Sequence, residues 1–277
     1  MSRVYTFSSV NSLFSREPSR AMKEILDLIR SIALSDLGIL IVGEEGTEKR
    51  WLAETIHSFS ARAGEQCTAI DCANVDPASI TSVLFGSEEL ALDGMKVTPG
   101  LLESANHGTL VLENVSHLKP AVVSELARVQ VHRHFRRIGG YTSLETHARI
   151  ITTMTLRPPA NGSAVHEPGE LYHRSSQIII NLPPLRERRD DILFLIERYL
   201  AGRPDASGRG HPGITTSALR HCLEYNWPGN AQELEAVVRD ALSRSPDEVI
   251  RARHLPDYLR SSAKVAGKSR VLEPQGT

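Results

Sequence analysis

The sequence predicts an α/β protein, a parallel sheet covered by helices on both faces, followed by a small all-helical domain. Three observations predict it. Short, continuously apolar runs at 38–42, 67–72, 109–112, 148–153 and 178–182 alternate with helical patterns, and strands buried on both faces read as unbroken apolar runs. The pair Pro183-Pro184 ends that alternation. Beyond it, apolar residues recur only at helical spacing. The expected organisation is therefore an α/β domain over 1–182, a helical domain over 183–260 and a disordered tail over 261–277.

The elements follow in order. After a polar start, Met22, Ile25, Leu26, Ile29, Ile32 and Ala33 fall at helical spacing, which predicts an amphipathic helix over 21–34. Residues 38–42 then form a buried strand that runs into the glycine-containing turn 43–47, and Trp51, Leu52 and Ile56 continue as a helix. The remaining four apolar runs supply further strands. Past the proline pair, helices are expected over 190–201, 215–225 and 230–243. Asp190 and Thr215 are suited to cap the first two, and Asn230 follows Pro228-Gly229 at the start of the third. The Gly, Pro and Ser-rich stretch 202–213 reads as a surface loop. No internal repeat is visible.

Composition narrows the function classes. The 277 residues are 40% hydrophobic and 23% charged, enough for one large core and a small one. Thirty-two Lys and Arg balance 33 Asp and Glu, so no overall field favours nucleic acid or a membrane surface. Cys67, Cys72 and Cys222 suit neither a disulfide framework nor a four-ligand metal site. Reduced thiols, and the absence of a leader or an apolar run of spanning length, point to the cytoplasm.

The segment Gly43-Glu44-Glu45-Gly46-Thr47-Glu48-Lys49-Arg50 joins a buried strand to a helix, the context of a Walker A loop whose backbone cradles phosphates. Its lysine is in place. The glycine usual before that lysine is Glu48, which adds charge and restricts the backbone. Taken alone, the segment also fits an ordinary strand-to-helix turn.

Its neighbours decide its ancestry. Residues 43–50 resemble GESGTGKE of the AAA+ domain of sigma-54-dependent activators, and 84–95 resemble LFGHEKGAFTGA. Residues 100–114 resemble GRFEQADGGTLFLDE, while Phe135-Arg-Arg-Ile-Gly-Gly140, the stretch 182–188 and the stretch 227–235 match three more signatures of that family. The resemblance runs from about Leu13 to Arg260. It implies an AAA+ P-loop NTPase fold with a helical lid, ATP or ADP as cofactor, magnesium, and assembly into a homo- or hetero-oligomeric ring with AAA+ relatives.

The chain departs from the family pattern where chemistry is expected. The Walker B Asp-Glu pair is Glu113-Asn114. Glu113 can hold magnesium with a longer reach, but Asn114 cannot accept a proton. An upstream Asn that pairs with the Walker B Glu in the family aligns with Asp71, so an exchange of roles between Asp71 and Asn114 is one reading. Of two arginines acting across subunits only Arg174 survives, Pro168 standing for the other; the sensor Asn is Thr155 and the lid arginine is Gln232. The loop that touches the sigma factor reads Leu90-Ala91-Leu92-Asp93-Gly94-Met95, with Leu92 and Asp93 in place of Phe and Thr. The resemblance thus implies a pseudo-ATPase with a weakened contact to sigma-54 RNA polymerase. Too few residues flank it for a sensory domain or a helix-turn-helix, so no direct sequence-specific DNA binding is expected, and no membrane.

Three functions stay open on these residues: a regulatory subunit in the ring of an intact relative, a slow ATPase activator, and a scaffold that binds no nucleotide. The basic cluster His132, Arg133, His134, Arg136, Arg137 reads as a surface helix end or subunit contact rather than a nucleic-acid patch. Trp227 reads as core.

Overall fold

The structure, a computed structural model, describes residues 4–6, 18–91, 94–156, 176–201 and 212–261. The expected tail, most of the loop 202–213, Leu92, Asp93, Pro168 and Arg174 lie outside the described residues. The chain divides into two compact units, Ile25–Leu182, and Met1–Glu24 together with Pro183–Thr277. The division at Pro183 follows the proline pair. The first 24 residues group with the C-terminal unit, whereas the sequence placed them with 1–182.

In chain order the elements of the larger unit follow β1 (Val4–Thr6) and α1 (Arg20–Ile32), within which the division falls. They are β2 (Ile39–Glu44), α2 (Lys49–Ser58), β3 (Cys67–Asp71), α3 (Ile80–Phe85), β4 (Ser87–Ala91), β5 (Gly94–Thr98), α4 (Leu101–Ser104), β6 (Thr109–Glu113), α5 (Pro120–His132), β7 (His134–Phe135), β8 (Leu144–Glu145), β9 (Arg149–Leu156) and β10 (Ile178–Asn181). Five strands form one sheet in the order β10-β2-β9-β6-β3, with every neighbouring pair parallel. Parallel neighbours need crossovers, which is why helical segments separate the strands in sequence.

The apolar runs are the reason this sheet is central. Ile39, Leu40 and Ile41 of β2 and Leu110, Val111 and Leu112 of β6 are wholly buried. Leu40 and Leu112 join Leu84, Leu102 and Val123 in one core. Arg149 at the start of β9 is also buried. Its guanidinium donates to the carbonyls of Ala33 (2.7 Å) and Ile32 (3.2 Å), groups that the end of α1 leaves without helical partners.

The C-terminal unit contains α6 (Asp191–Ala201), β11 (Gly213–Thr215), α7 (Thr216–Glu224), α8 (Asn230–Ser243) and β12 (Val249–Ile250). Its own core includes Ile196, Leu200, Cys222, Trp227 and Leu234. Thr215 caps α7 as expected, its hydroxyl accepting from the Ala218 N–H. Ser19 donates from its N–H (2.6 Å) and hydroxyl (2.7 Å) to the Asp191 carboxylate, tying the N-terminal segment to α6. The unit is helical, as expected, but it is not only helical. A three-stranded sheet, β1-β11-β12, runs through it, with strands of two or three residues, too short to carry a periodicity. No helix among the described residues is long and apolar enough to cross a membrane.

Candidate functional site

The segment 43–50 closes the C-terminal end of β2. A Cβ on Gly43 would meet the Leu182 carbonyl at 2.8 Å and the Thr47 hydroxyl at 2.9 Å, so only glycine fits. Gly46 takes φ +73°. Glu48 takes φ 71°, ψ 39°, the left-handed conformation that a glycine would adopt without cost. The Thr47 hydroxyl donates to the Glu44 carbonyl (2.8 Å), which tightens the turn. Lys49 opens α2, and its Nζ donates to the carbonyls of Gly43 (3.1 Å) and Glu44 (2.8 Å). Burial pushes this amine down to about 8, against the pull of Glu45, Glu113 and Glu44.

Parallel register brings three more strand ends to the same edge. Asp71 of β3 and Glu113 of β6 are cross-strand partners. Asn114 follows, at φ 54°, and its side chain is held at both ends. Its Nδ2 donates to Asp71 Oδ1 (2.9 Å) and its Oδ1 accepts from the Thr155 hydroxyl (2.8 Å). Its backbone N–H donates to the Thr153 hydroxyl (3.2 Å). Asp71 also accepts from the Ala73 N–H (3.0 Å) and from Asn74 Nδ2 (2.9 Å). The structure thus brings together the two residues that sequence alignment paired, and adds Thr155 to them.

Glu113, the expected magnesium ligand, faces a cation of the protein itself. Arg50 Nη1 lies 3.4 Å from Glu113 Oε1, and Arg50 Nε donates to Glu54 Oε1 at 2.9 Å. Burial raises the Glu113 carboxyl above its usual range, and Arg50 opposes that rise. Sequence reasoning missed this pair. Its members are 63 positions apart, and only the order of strands makes them neighbours.

The segment resembling the sigma-contacting loop is a β-hairpin. In it β4 and β5 pair antiparallel, with Leu90 opposite Met95 and Ala91 opposite Gly94. The Leu90 and Met95 side chains stand 86% and 61% exposed on the same face, which leaves two apolar groups in water beside the tip. The hairpin base is held by Arg137 and the Ile138 backbone. Arg137 donates to Glu88 (2.9 Å) and, through Nε, to Glu103 (2.9 Å), and the Ile138 backbone bonds Glu88 and Gly86. A Cβ on Gly139 would meet the Glu88 carbonyl at 2.5 Å. Phe135 is buried and packs near Phe85. Of the basic cluster, Arg137 holds the hairpin base, while His132 ends α5.

In the C-terminal unit Gln232 lies in the first turn of α8, and Glu233 accepts from the Gly229 N–H (2.8 Å). Trp227 is fully buried; its Nε1 donates to the Cys222 carbonyl (2.7 Å), and its ring stands edge-on to Tyr225. It is core, as expected.

Residues 16–181 match the family model described as Sigma-54 interaction domain, and residues 186–271 match AAA+ ATPase lid domain. The chain is 32% identical to Transcriptional activator RocR of Bacillus subtilis over 275 residues, covering 99% of this chain and 58% of that protein. It is 34% identical to Nitrogen fixation protein AnfA of Azotobacter vinelandii over 247 residues, 88% of this chain and 46% of the relative. Among solved structures, NtrX from Brucella abortus in complex with ADP superposes with a TM-score of 0.73 at 27% identity, over 89% of this chain and 55% of that one. The chain spans about half the length of these relatives.

Proposed function

The chain belongs to the family of sigma-54 interaction domains with an AAA+ lid, and on that premise we propose a regulatory module that binds ATP or ADP at 43–50 but hydrolyses it little. It works beside an intact relative in a homo- or hetero-oligomeric ring, and it regulates transcription through that relative.

The observation that carries this reading is Asn114. The position that must take a proton from the attacking water holds an amide, and both ends of that amide are already bonded, to Asp71 and Thr155. A general base contributes roughly 10² to 10⁴ in rate, and an amide supplies none of it. Binding is supported separately. The glycines at 43 and 46, Thr47 and the Lys49 amine keep the loop's shape and charge, and NtrX, solved with ADP, shares its fold. Gln232, where the family has an arginine, carries no charge.

A second reading is favoured by one contact. Asp71 places a carboxylate 2.9 Å from Asn114, so a base is present on the neighbouring strand, and a slow ATPase would use it. Titration of the purified chain with a fluorescent ATP analogue and steady-state phosphate release separate the readings. Binding with release near background is the expected result. Release about 10²-fold above background, the low end of what a general base supplies, would establish the slow enzyme. No binding at all would leave the scaffold.

For the partnership, the chain mixed with an intact relative should change that relative's ATPase rate. Arg174→Ala should alter the change, since an arginine supplied across a ring interface acts on a neighbour's phosphates. The exposed hairpin has Leu92 and Asp93 where its family has an aromatic and a hydroxyl residue. Contact with sigma-54 RNA polymerase is accordingly weak in this proposal.

A further inference from the structure

In many P-loop proteins magnesium is held by a Walker B carboxylate and the hydroxyl of the residue after the loop lysine; the family segment GESGTGKE has a glutamate at that second position. Here an arginine replaces that oxygen-bearing residue, and the Walker B carboxylate already faces a cation. The residue after Lys49 is Arg50, which has no oxygen and a permanent charge. Its guanidinium lies 3.4 Å from Glu113, the carboxylate that would have to bind the metal. A dication brought to Glu113 would have to displace that cation or sit beside it. Magnesium on a nucleotide needs only one or two protein carboxylates, and here the strand-end carboxylate of Glu113 is already paired with a guanidinium. The donor set does not fit magnesium.

We propose that Arg50 stands in for the metal: the loop binds the outer phosphates of its nucleotide without a divalent cation, with the Arg50 guanidinium held in place by Glu113 and Glu54. The proposal rests on the reading that 43–50 binds nucleotide. Arg50 belongs to the first turn of α2, beside Lys49. Of its five N–H donors, one on Nε is directed to Glu54 and one on Nη1 to Glu113, while Nη2 bonds no acceptor among the described residues. The side chain is 58% exposed, so those donors are open to a phosphate oxygen. Planar guanidinium matches two phosphate oxygens at once, a geometry well suited to an anion. The two carboxylates hold its other side, as a metal's own ligands would hold the metal.

The test is the affinity of the full chain for a fluorescent ATP analogue, measured with millimolar MgCl2 and again with excess EDTA. The wild type should bind equally in the two conditions, within about threefold. Arg50→Ser puts a hydroxyl at the magnesium position and removes the cation. Its affinity in EDTA should fall about tenfold, the size of one charge-assisted hydrogen bond, and magnesium should recover part of the loss. Arg50→Lys, which keeps the charge, should retain binding in EDTA better than Arg50→Ser, and near-ultraviolet circular dichroism checks that each variant is folded. A wild type that loses tenfold or more of its affinity in EDTA overturns the proposal, and so does an Arg50→Ser protein that binds in EDTA as the wild type does. Absence of binding in every condition removes the nucleotide reading itself, an outcome distinct from magnesium-dependent binding.

Discussion

Glu48 sits at φ 71° with a full side chain, and a left-handed residue other than glycine costs about 1–2 kcal/mol. Glycine would relieve that strain but gives back about 0.5–1 kcal/mol in unfolded-chain entropy. Glu48→Gly should therefore stabilise the fold by a net of roughly 0.5–1 kcal/mol, seen as a higher urea midpoint with an unchanged slope. It should also tighten binding of the ATP analogue, because it removes a negative charge next to the phosphates. At Lys49 the sign of a pH effect follows from burial. The folded amine titrates near 8, below the ordinary 10.5, so its charged form is the minor one above pH 8, and nucleotide affinity should decline as pH passes that value. Stability moves the other way: between about 8 and 10.5 the unfolded chain holds the proton that the folded chain has lost, and the fold gains stability as pH rises. Titration and urea melts across pH 7–10 check both slopes. The Asp71 and Asn114 pair invites an exchange. Asn114→Asp alone sets two carboxylates face to face, whereas Asp71→Asn with Asn114→Asp restores one acid and one amide. The double variant should recover stability beyond the sum of the singles, with a coupling of about 0.5–3 kcal/mol. Additive losses would show that the contact is incidental.

The hairpin formed by β4 and β5 is an element with little burial behind it. Every residue of β5 is exposed, so its position depends on its base, where Arg137 joins Glu88 and Glu103. The same arginine holds the Glu103 carboxyl below its usual range. Arg137→Ala should leave two half-buried carboxylates without their cation. Amide hydrogen exchange should then accelerate over 87–98 while the central strands keep their protection, since local opening follows the contacts that hold a segment. Unchanged exchange in the hairpin would show that backbone pairing suffices. The hairpin also marks the limit of what could be read beforehand. The three inner strands β2, β9 and β6 were legible because burial on both faces leaves a largely apolar run, as in Ile39 to Val42, whereas the edge strands β3 and β10 are only partly buried and were read from shorter apolar runs. A hairpin held by charge and backbone bonds leaves no such trace, and neither do β11 and β12, with three and two residues. The site divides in the same way. The loop 43–50 is local and was visible in its glycines and lysine, whereas the Asp71–Asn114 contact bridges 43 positions, was suggested only by family alignment, and needed the register of β3 against β6 to become a bond.

At the scale of the whole chain the two cores share no residue. One is built from positions between Leu40 and Met154, the other from positions between Leu185 and Leu259. Each unit also carries one of the two tryptophans: Trp51 follows the phosphate loop in α2, and Trp227 lies in the smaller core. A protein with two cores need not unfold in one step, and failure of different probes to coincide is the sign of that. Trp51→Phe leaves Trp227 as the only indole, so its emission reports the smaller unit while far-ultraviolet circular dichroism reports the helices of both. Nucleotide at 43–50 stabilises whatever it binds by RT ln(1 + [L]/Kd), about 2.7 kcal/mol at a hundredfold excess over Kd. That stabilisation acts first on the unit that carries 43–50. Saturating ATP analogue should therefore move the circular dichroism midpoint in urea further than the Trp227 midpoint, and the two curves should separate. Equal shifts in both would mean that the smaller unit unfolds only together with the nucleotide-bearing one.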